Sequence, residues 1–198
     1  MLLPSKNLLP FDGELYLLDN FLDKSQLASI LSCLPNLNWK QYPITLFGKS
    51  YLQPREIAFY GETGVTYTYS RNTRLNALKW PSEITALKSI MEEVCESSFN
   101  SVLCNHYRNE KDSMGMHADN ESSLGENPCI ASMSFGGTRI LRVTHNESKQ
   151  SLKIPLKNNS LLIMKGSMQH HWKHGIPKES KEMEARYNLT FRAIKKEA

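Results

Sequence analysis

The chain has 198 residues, of which 40% are hydrophobic and 22% charged. That length suits one domain whose folding removes roughly 70% of the unfolded surface from water, and the composition excludes a collagen, a disordered tail and a disulfide scaffold. Lys and Arg number 24 against 20 Asp and Glu, and the net charge of +4 permits a nucleic-acid partner without requiring one.

Taken in chain order, helical signals come first. No apolar leader opens the chain, so no secretory signal is expected. Asp23, with Gln26 three residues on, reads as a capping box, and Leu27, Ile30, Leu31 and Leu34 then recur on one helical face. After Pro81, with Ser82 as the expected cap, Ile84, Leu87, Met91 and Val94 mark a second amphipathic helix. Most of the remainder is strand. Runs rich in β-branched and aromatic residues lie at 40–46, 55–60, 65–70, 101–107, 129–135, 138–144, 151–156, 160–164, 169–174 and 186–193, separated by turns with Gly, Asn or Pro. Many short strands with two helices ahead of them predict a sandwich or barrel, not a doubly wound fold. The longest aliphatic run, 161–164, is far short of the ~20 residues a membrane-spanning helix needs, so no membrane partner is expected. Cys33, Cys95, Cys104 and Cys129 form no Cys-x-x-Cys pair and are expected reduced, as in a cytoplasmic protein or a nuclear one in a eukaryote.

Three segments can carry chemistry. His117-Ala118-Asp119 sets an imidazole and a carboxylate two residues apart, so that in an extended segment both point one way. A third ligand from His145, His170, His171 or His174 would complete the two-histidine, one-carboxylate triad of non-haem Fe(II) oxygenases. In 186–192, alternation puts Arg186, Asn188, Thr190 and Arg192 on one face and Tyr187, Leu189 and Phe191 on the other. Two inward arginines are costly unless an anion meets them, and a dicarboxylate suits guanidinium geometry. Asn105 and Tyr107 share a face of another strand and could complete that anion site.

Asn105-His106-Tyr107, His117 to Glu121, Ser134-Phe135-Gly136, Trp172-Lys173-His174 and Arg186 to Arg192, in that order, resemble the AlkB family of Fe(II)- and 2-oxoglutarate-dependent dioxygenases. The resemblance covers about residues 15 to 194. It implies a double-stranded β-helix (jelly roll) at about 100–194, with a nucleotide-recognition lid at about 40–75, in a single domain over 1–198. It implies Fe(II) held by His117, Asp119 and His174. His174 is selected because Trp172-Lys173-His174-Gly175-Ile176-Pro177 fits the family pattern around its second histidine, which leaves His145 solvated. The distal carboxylate of 2-oxoglutarate would meet Arg186, Asn188 and Tyr107, and its metal-side carboxylate Arg192 and Asn105, with Thr190 lining the pocket.

On the substrate side the resemblance sets Tyr67 and Tyr69 against an extruded base and Glu121 at its edge, where a carboxylate favours a cationic lesion. Phe47, Gly48 and Lys49 resemble the finger hairpin of the animal duplex-DNA branch, where an apolar wedge fills the gap left by a flipped base. Lys49, Arg55, Arg71 and Arg74 are candidates for phosphate, with Arg139 and Arg142 as further, weaker ones. The stretch 105–113 looks closer to the single-strand branch. The implied activity is oxidative demethylation of 1-methyladenine- or 3-methylcytosine-type bases, with O2 and 2-oxoglutarate consumed and formaldehyde released, that is, repair of DNA alkylation damage. The expected partner is alkylated DNA, single- or double-stranded, with RNA as a second class, and the expected state is a monomer. The alternatives are an oxygenase acting on RNA or a protein side chain, a Zn2+ hydrolase using the same triad, and a silent binding module.

Overall fold

The computed structural model describes residues 6–46, 49–69 and 73–195, apart from the side chains at 45, 46 and 69. The first half holds β1 (Glu14–Leu18), α1 (Lys24–Cys33), β2 (Pro43–Leu46), β3 (Lys49–Leu52), β4 (Glu56–Gly61), β5 (Thr66–Tyr69), β6 (Thr73–Asn76) and α2 (Ser82–Cys95). The second half holds β7 (Ser101–Tyr107), β8 (Met114–His117), β9 (Ile130–Gly136), β10 (Arg139–His145), β11 (Ser151–Leu156), β12 (Ser160–Lys165), α3 (Met168–His171), β13 (Trp172–Ile176) and β14 (Arg186–Arg192).

A six-stranded sheet runs β1-β12-β9-β14-β7-β4, and a four-stranded sheet runs β11-β10-β13-β8. From β7 onward the chain passes back and forth between these two antiparallel sheets, which is the winding of a jelly roll. The fold is mainly β with flanking helices, as expected. The roll reaches further back than 100, because β1 pairs with β12 and β4 with β7. For the same reason the expected lid at 40–75 is not one unit. It consists of two separate hairpins, β2–β3 and β5–β6, on either side of a strand of the main sheet.

Of three hydrophobic clusters among the described residues, two follow from the layers. On one face of the six-stranded sheet, Met133, Leu161, Leu189 and Phe191 pack with Ile84, Leu87, Met91 and Val94 of α2. On its other face, inside the roll, Tyr107, Ile130, Leu141, Val143, Leu162 and Trp172 pack together. Each such side chain fully withdrawn from water contributes roughly 1.5–3 kcal/mol. The Asp23–Gln26 capping box is present at α1. The expected stripe of that helix is only partly inward, since Ile30 is buried whereas Leu31 is exposed. Pro81, not Ser82, is the cap of α2, and it makes no side-chain capping bond. The strand expected at 169–174 is instead the single turn α3 followed by β13. Among the described residues no helix is long and apolar enough to cross a membrane.

Candidate active site

β14 lies between β9 and β7, so register decides which side chains meet inside the roll. Arg186 is level with Tyr107 and Gly136, Asn188 with Asn105 and Ser134, and Thr190 with Leu103 and Ser132. Gly136 has a φ of +82°, and a side chain there would run into the Ala185 carbonyl. His117 and His174 are paired across β8 and β13 in the facing sheet. Arg186, Tyr107, Asn188, Asn105, Thr190, Ser132, His117 and His174 line one narrow cavity, polar at both ends, with Leu103, Leu141, Leu156, Leu162 and Ile176 along its walls.

At one end, one ligand atom each from His117, Asp119 and His174 lies within 4.8 Å of the others. His117 Nδ1 is 2.9 Å from the Gly115 carbonyl, which can only accept, so the proton sits on Nδ1. Nε2 lies 3.8 Å from Asp119 Oδ1. The other carboxylate oxygen, Oδ2, takes two hydrogen bonds from Arg192, at 2.7 and 3.2 Å. Burial opposes the Asp119 carboxylate, but Arg192 and the two imidazoles outweigh it and hold the group at about 2. Burial, with repulsion from His117, lowers His174 to about 3, so its ring is neutral. His174 Nδ1 is buried without a hydrogen-bond partner.

At the other end, Arg186 is 1% exposed. Its NH2 group donates to Ser134 Oγ at 2.9 Å, but Nε and NH1 have no partner. Burial lowers this guanidinium to about 10, while the Tyr107 ring stands 5.1 Å beneath it. A buried cation with unspent donors is a site for an anion.

Residues 14–192 match the 2OG-Fe(II) oxygenase superfamily. The chain belongs to that superfamily. It is 42% identical over 184 residues to alpha-ketoglutarate-dependent dioxygenase alkB homolog 3 of Bos taurus, a match covering 88% of this chain and 64% of the relative. It is 35% identical over 159 residues to the human DNA oxidative demethylase ALKBH2, covering 76% and 60%. The chain therefore spans about two thirds of the length of these relatives or less, and the resemblance to the AlkB family read from its motifs holds over most of its own length. The fold agrees with the structure of OsALKBH1, at a TM-score of 0.63, 18% identity and coverage of 90% of this chain and 97% of that one.

The superfamily is named for Fe(II) and 2-oxoglutarate, and the donor set fits both. Two imidazoles and one carboxylate oxygen lie close enough to share one ion, as an Fe(II) facial triad requires. The apolar stretch between that point and Arg186 suits a dicarboxylate with a short carbon linker.

Arg55, Arg139 and Asn188, expected to hold phosphate or 2-oxoglutarate, are placed otherwise. Arg55 is 3% exposed and donates to Asn105 Oδ1 and the Ser113 carbonyl, so it braces the cavity wall and does not reach a phosphate. Arg139 is likewise buried, on the carbonyls of Asn109, Asp112 and Pro177. Both amide hydrogens of Asn188 are spent on Ser132 Oγ and the Met133 carbonyl, which makes it a strut between strands and leaves no donor for a carboxylate. Thr190 Oγ1 donates to Asn188 Oδ1 and lines the cavity. Tyr67 is 8% exposed, its hydroxyl donating to Glu121 Oε1 at 3.0 Å and its ring tilted on Phe59. Lys49 is exposed at the start of β3, while Phe47, Gly48, Arg71 and the side chain of Tyr69 lie outside the described residues.

His145, expected in solvent, is 4% exposed between Phe11 and Trp172. With Asp12 and His171 it forms a second cluster of possible ligands. Its Nδ1 accepts from Ser148 N, which puts the proton on the nitrogen facing Asp12 and makes that nitrogen a donor, not a ligand. One supporting residue was missed. Gln169 is 2% exposed and accepts the Asp119 backbone N–H at 2.9 Å. The only sequence sign of it was an amide among buried residues next to the family histidine.

Proposed function

We propose that this chain is an Fe(II)- and 2-oxoglutarate-dependent dioxygenase that demethylates N-alkylated bases of the 1-methyladenine and 3-methylcytosine type in DNA, and so repairs alkylation damage. RNA is the second substrate class. The observation that carries the reading is the pairing of the His117, Asp119 and His174 cluster with the buried Arg186 guanidinium, whose Nε and NH1 have no partner, at opposite ends of one cavity. Its relatives' names, a DNA oxidative demethylase among them, support the substrate class.

His117, Asp119 and His174 would hold Fe(II), which with O2 and 2-oxoglutarate supplies the oxidation of the N-methyl carbon. Overall, the methylated base, 2-oxoglutarate and O2 give the restored base, formaldehyde, succinate and CO2. Arg186 binds the distal carboxylate of 2-oxoglutarate, with the Tyr107 hydroxyl beside it. Asn105 offers its amide nitrogen to the metal-side carboxylate, because its oxygen is already engaged by Arg55. Arg192 orients Asp119 and reaches the same carboxylate. The leucine walls exclude water from the reacting atoms, and no side chain need move a proton. Glu121, fixed by Tyr67, faces the base edge and favours a lesion carrying positive charge, and stacking on Tyr67 and Tyr69 is worth roughly 1–3 kcal/mol per base. Phe47, Gly48 and Lys49 contact the strand beside the lesion. The protein acts as a monomer in the cytoplasm or nucleus, a placement supported by its four free cysteines.

The test is formaldehyde release from methylated single- and double-stranded DNA and RNA oligonucleotides, with and without 2-oxoglutarate. Release from DNA that needs both Fe(II) and 2-oxoglutarate supports the reading. Succinate formation with no formaldehyde from any oligonucleotide overturns it in favour of a protein side-chain oxygenase.

A further inference from the structure

The outward face of the four-stranded sheet carries features that the active-site cavity does not use. Alternation sends His174 inward and Lys173 outward, and likewise Val143 inward and Arg142 outward. In the β10–β11 ladder Arg142 stands directly opposite Lys153, and in the β10–β13 ladder Thr144 stands opposite Lys173. All three cations are exposed, and among the described residues none has a side-chain hydrogen bond or ion pair. Like charges directly opposite one another destabilise a sheet, so this arrangement costs stability unless an anion covers it. Between residues 139 and 156 the only carboxylate is Glu147, in the connecting turn.

Beside these cations is a hollow of about 200 Å³ lined by Met116, Thr144, Asn146, Lys149 and Lys173, with His145 at its base. Met116 is 45% exposed and directly precedes His117, whose own side chain is 32% exposed at the edge of the sheet. An uncovered thioether thus adjoins the mouth of the cavity. Unpaired cations continue from it over three neighbouring strands, a width of about 10 Å at the usual strand spacing.

We propose that this face is a phosphate track: the strand carrying the target base leaves the cavity over Met116 and lays its backbone on Lys173, Arg142 and Lys153, whatever its sequence. The inference rests on the nucleic-acid reading above. Exposed point cations on a flat sheet position a polyanion without reading its bases, and an exposed methionine offers apolar surface to the base next to the flipped one.

The experiment compares the full chain with R142E/K153E/K173E and with the milder R142Q/K153Q/K173Q. Binding and formaldehyde release are measured on single strands holding one 1-methyladenine with short or long flanks. The wild type should gain affinity with flank length. Both variants should lose that gain, and their log K against log salt slope should flatten by about 2 for three phosphates on a single strand. Formaldehyde release from the short strand should stay unchanged, which shows that the variants are folded. Unchanged long-strand affinity and salt slope overturn the track. Lost binding to phosphatidylserine vesicles with unchanged binding to DNA overturns it in favour of a membrane surface. Loss of the length gain in the variants supports the track even if no strand releases formaldehyde, a result that overturns the demethylase reading alone.

Discussion

Arg192 grips Asp119 through one carboxylate oxygen, across 73 residues of chain, with both side chains buried. Asp119 in turn pushes the Arg192 guanidinium up against the effect of its burial. The pair leaves the second oxygen of Asp119 facing His117 and His174, so an ion pair inside the roll decides which atom is offered to a metal.

The ligand cluster sets the first expectation. His174→Ala should abolish formaldehyde and succinate formation while the far-ultraviolet spectrum and melting temperature change little, because β13 keeps its backbone ladder to β10. Full turnover in that variant would remove His174 from the metal site.

Arg186 separates binding from stability. Arg186→Met should raise the KM for 2-oxoglutarate by about 10- to 100-fold, the equivalent of the ~1.5–3 kcal/mol of a charge-assisted hydrogen bond. The protein without 2-oxoglutarate should melt at the same temperature or higher, since a buried cation with two idle donor groups is replaced by an apolar chain. The rise in melting temperature on adding 2-oxoglutarate should vanish. An unaltered KM would show that the carboxylate lies elsewhere.

Acid should destabilise the metal-free protein in two stages. His174 is held well below its ordinary 6.5, so the unfolded chain takes up a proton that the folded one refuses. Its stability contribution is complete above 6.5 and is lost as pH falls from there toward about 3. Asp119 adds a loss between its ordinary 3.8 and about 2, worth roughly 2 kcal/mol. Urea midpoints recorded from pH 7 to 5 should fall in the wild type and flatten in His174→Gln. A parallel fall in both would show that other groups govern that range.

Gln169 acts through Asp119 and is a positioning residue. Gln169→Leu leaves the Asp119 backbone N–H without its acceptor and should weaken Fe(II) binding by about 10- to 100-fold, as loss of outer support does at other metal sites. Gln169→Glu retains an oxygen there and should recover most of the affinity. Titration with Fe(II) under anaerobic conditions distinguishes the two.

Tyr67 joins the cavity to the candidate base site through its hydroxyl on Glu121 and its ring beside Arg192, 5.9 Å from the guanidinium carbon. Tyr67→Ala should lower formaldehyde release more than succinate formed without substrate. Equal losses would mean that Tyr67 serves only the fold.

Parts of this were legible residue by residue. The strand 186–192 could be read with both its faces, because alternating Arg, Asn, Thr and Arg against Tyr, Leu and Phe leaves one period and one register. The stripe of α2 was equally clear. The strands β3 and β8 were not: every residue of β3 is exposed, and β8 is four residues with glycine in its middle. Such segments gain their order from a neighbour strand, which no local pattern records. Arg55 misled for a similar reason. A lone arginine after proline reads as surface, and only the contact with Asn105, fifty residues on, turns it inward.

By itself the sequence determined a mainly β sandwich or barrel, the His117–Asp119 pair and the inward arginines, since these depend on residue type, spacing and alternation, while the jelly roll and His174 as third ligand followed from the resemblance to the AlkB family. Only the tertiary structure decided how those side chains are employed. It made Asn188 a strut and Arg55 a brace, gave Asp119 to Arg192, supported it with Gln169, and left Nε and NH1 of Arg186 without a partner. Hydrogen-bond donors are finite and directional, so a polar residue's task depends on which partners, distant in the chain, the packed sheets bring within 3 Å or so of it.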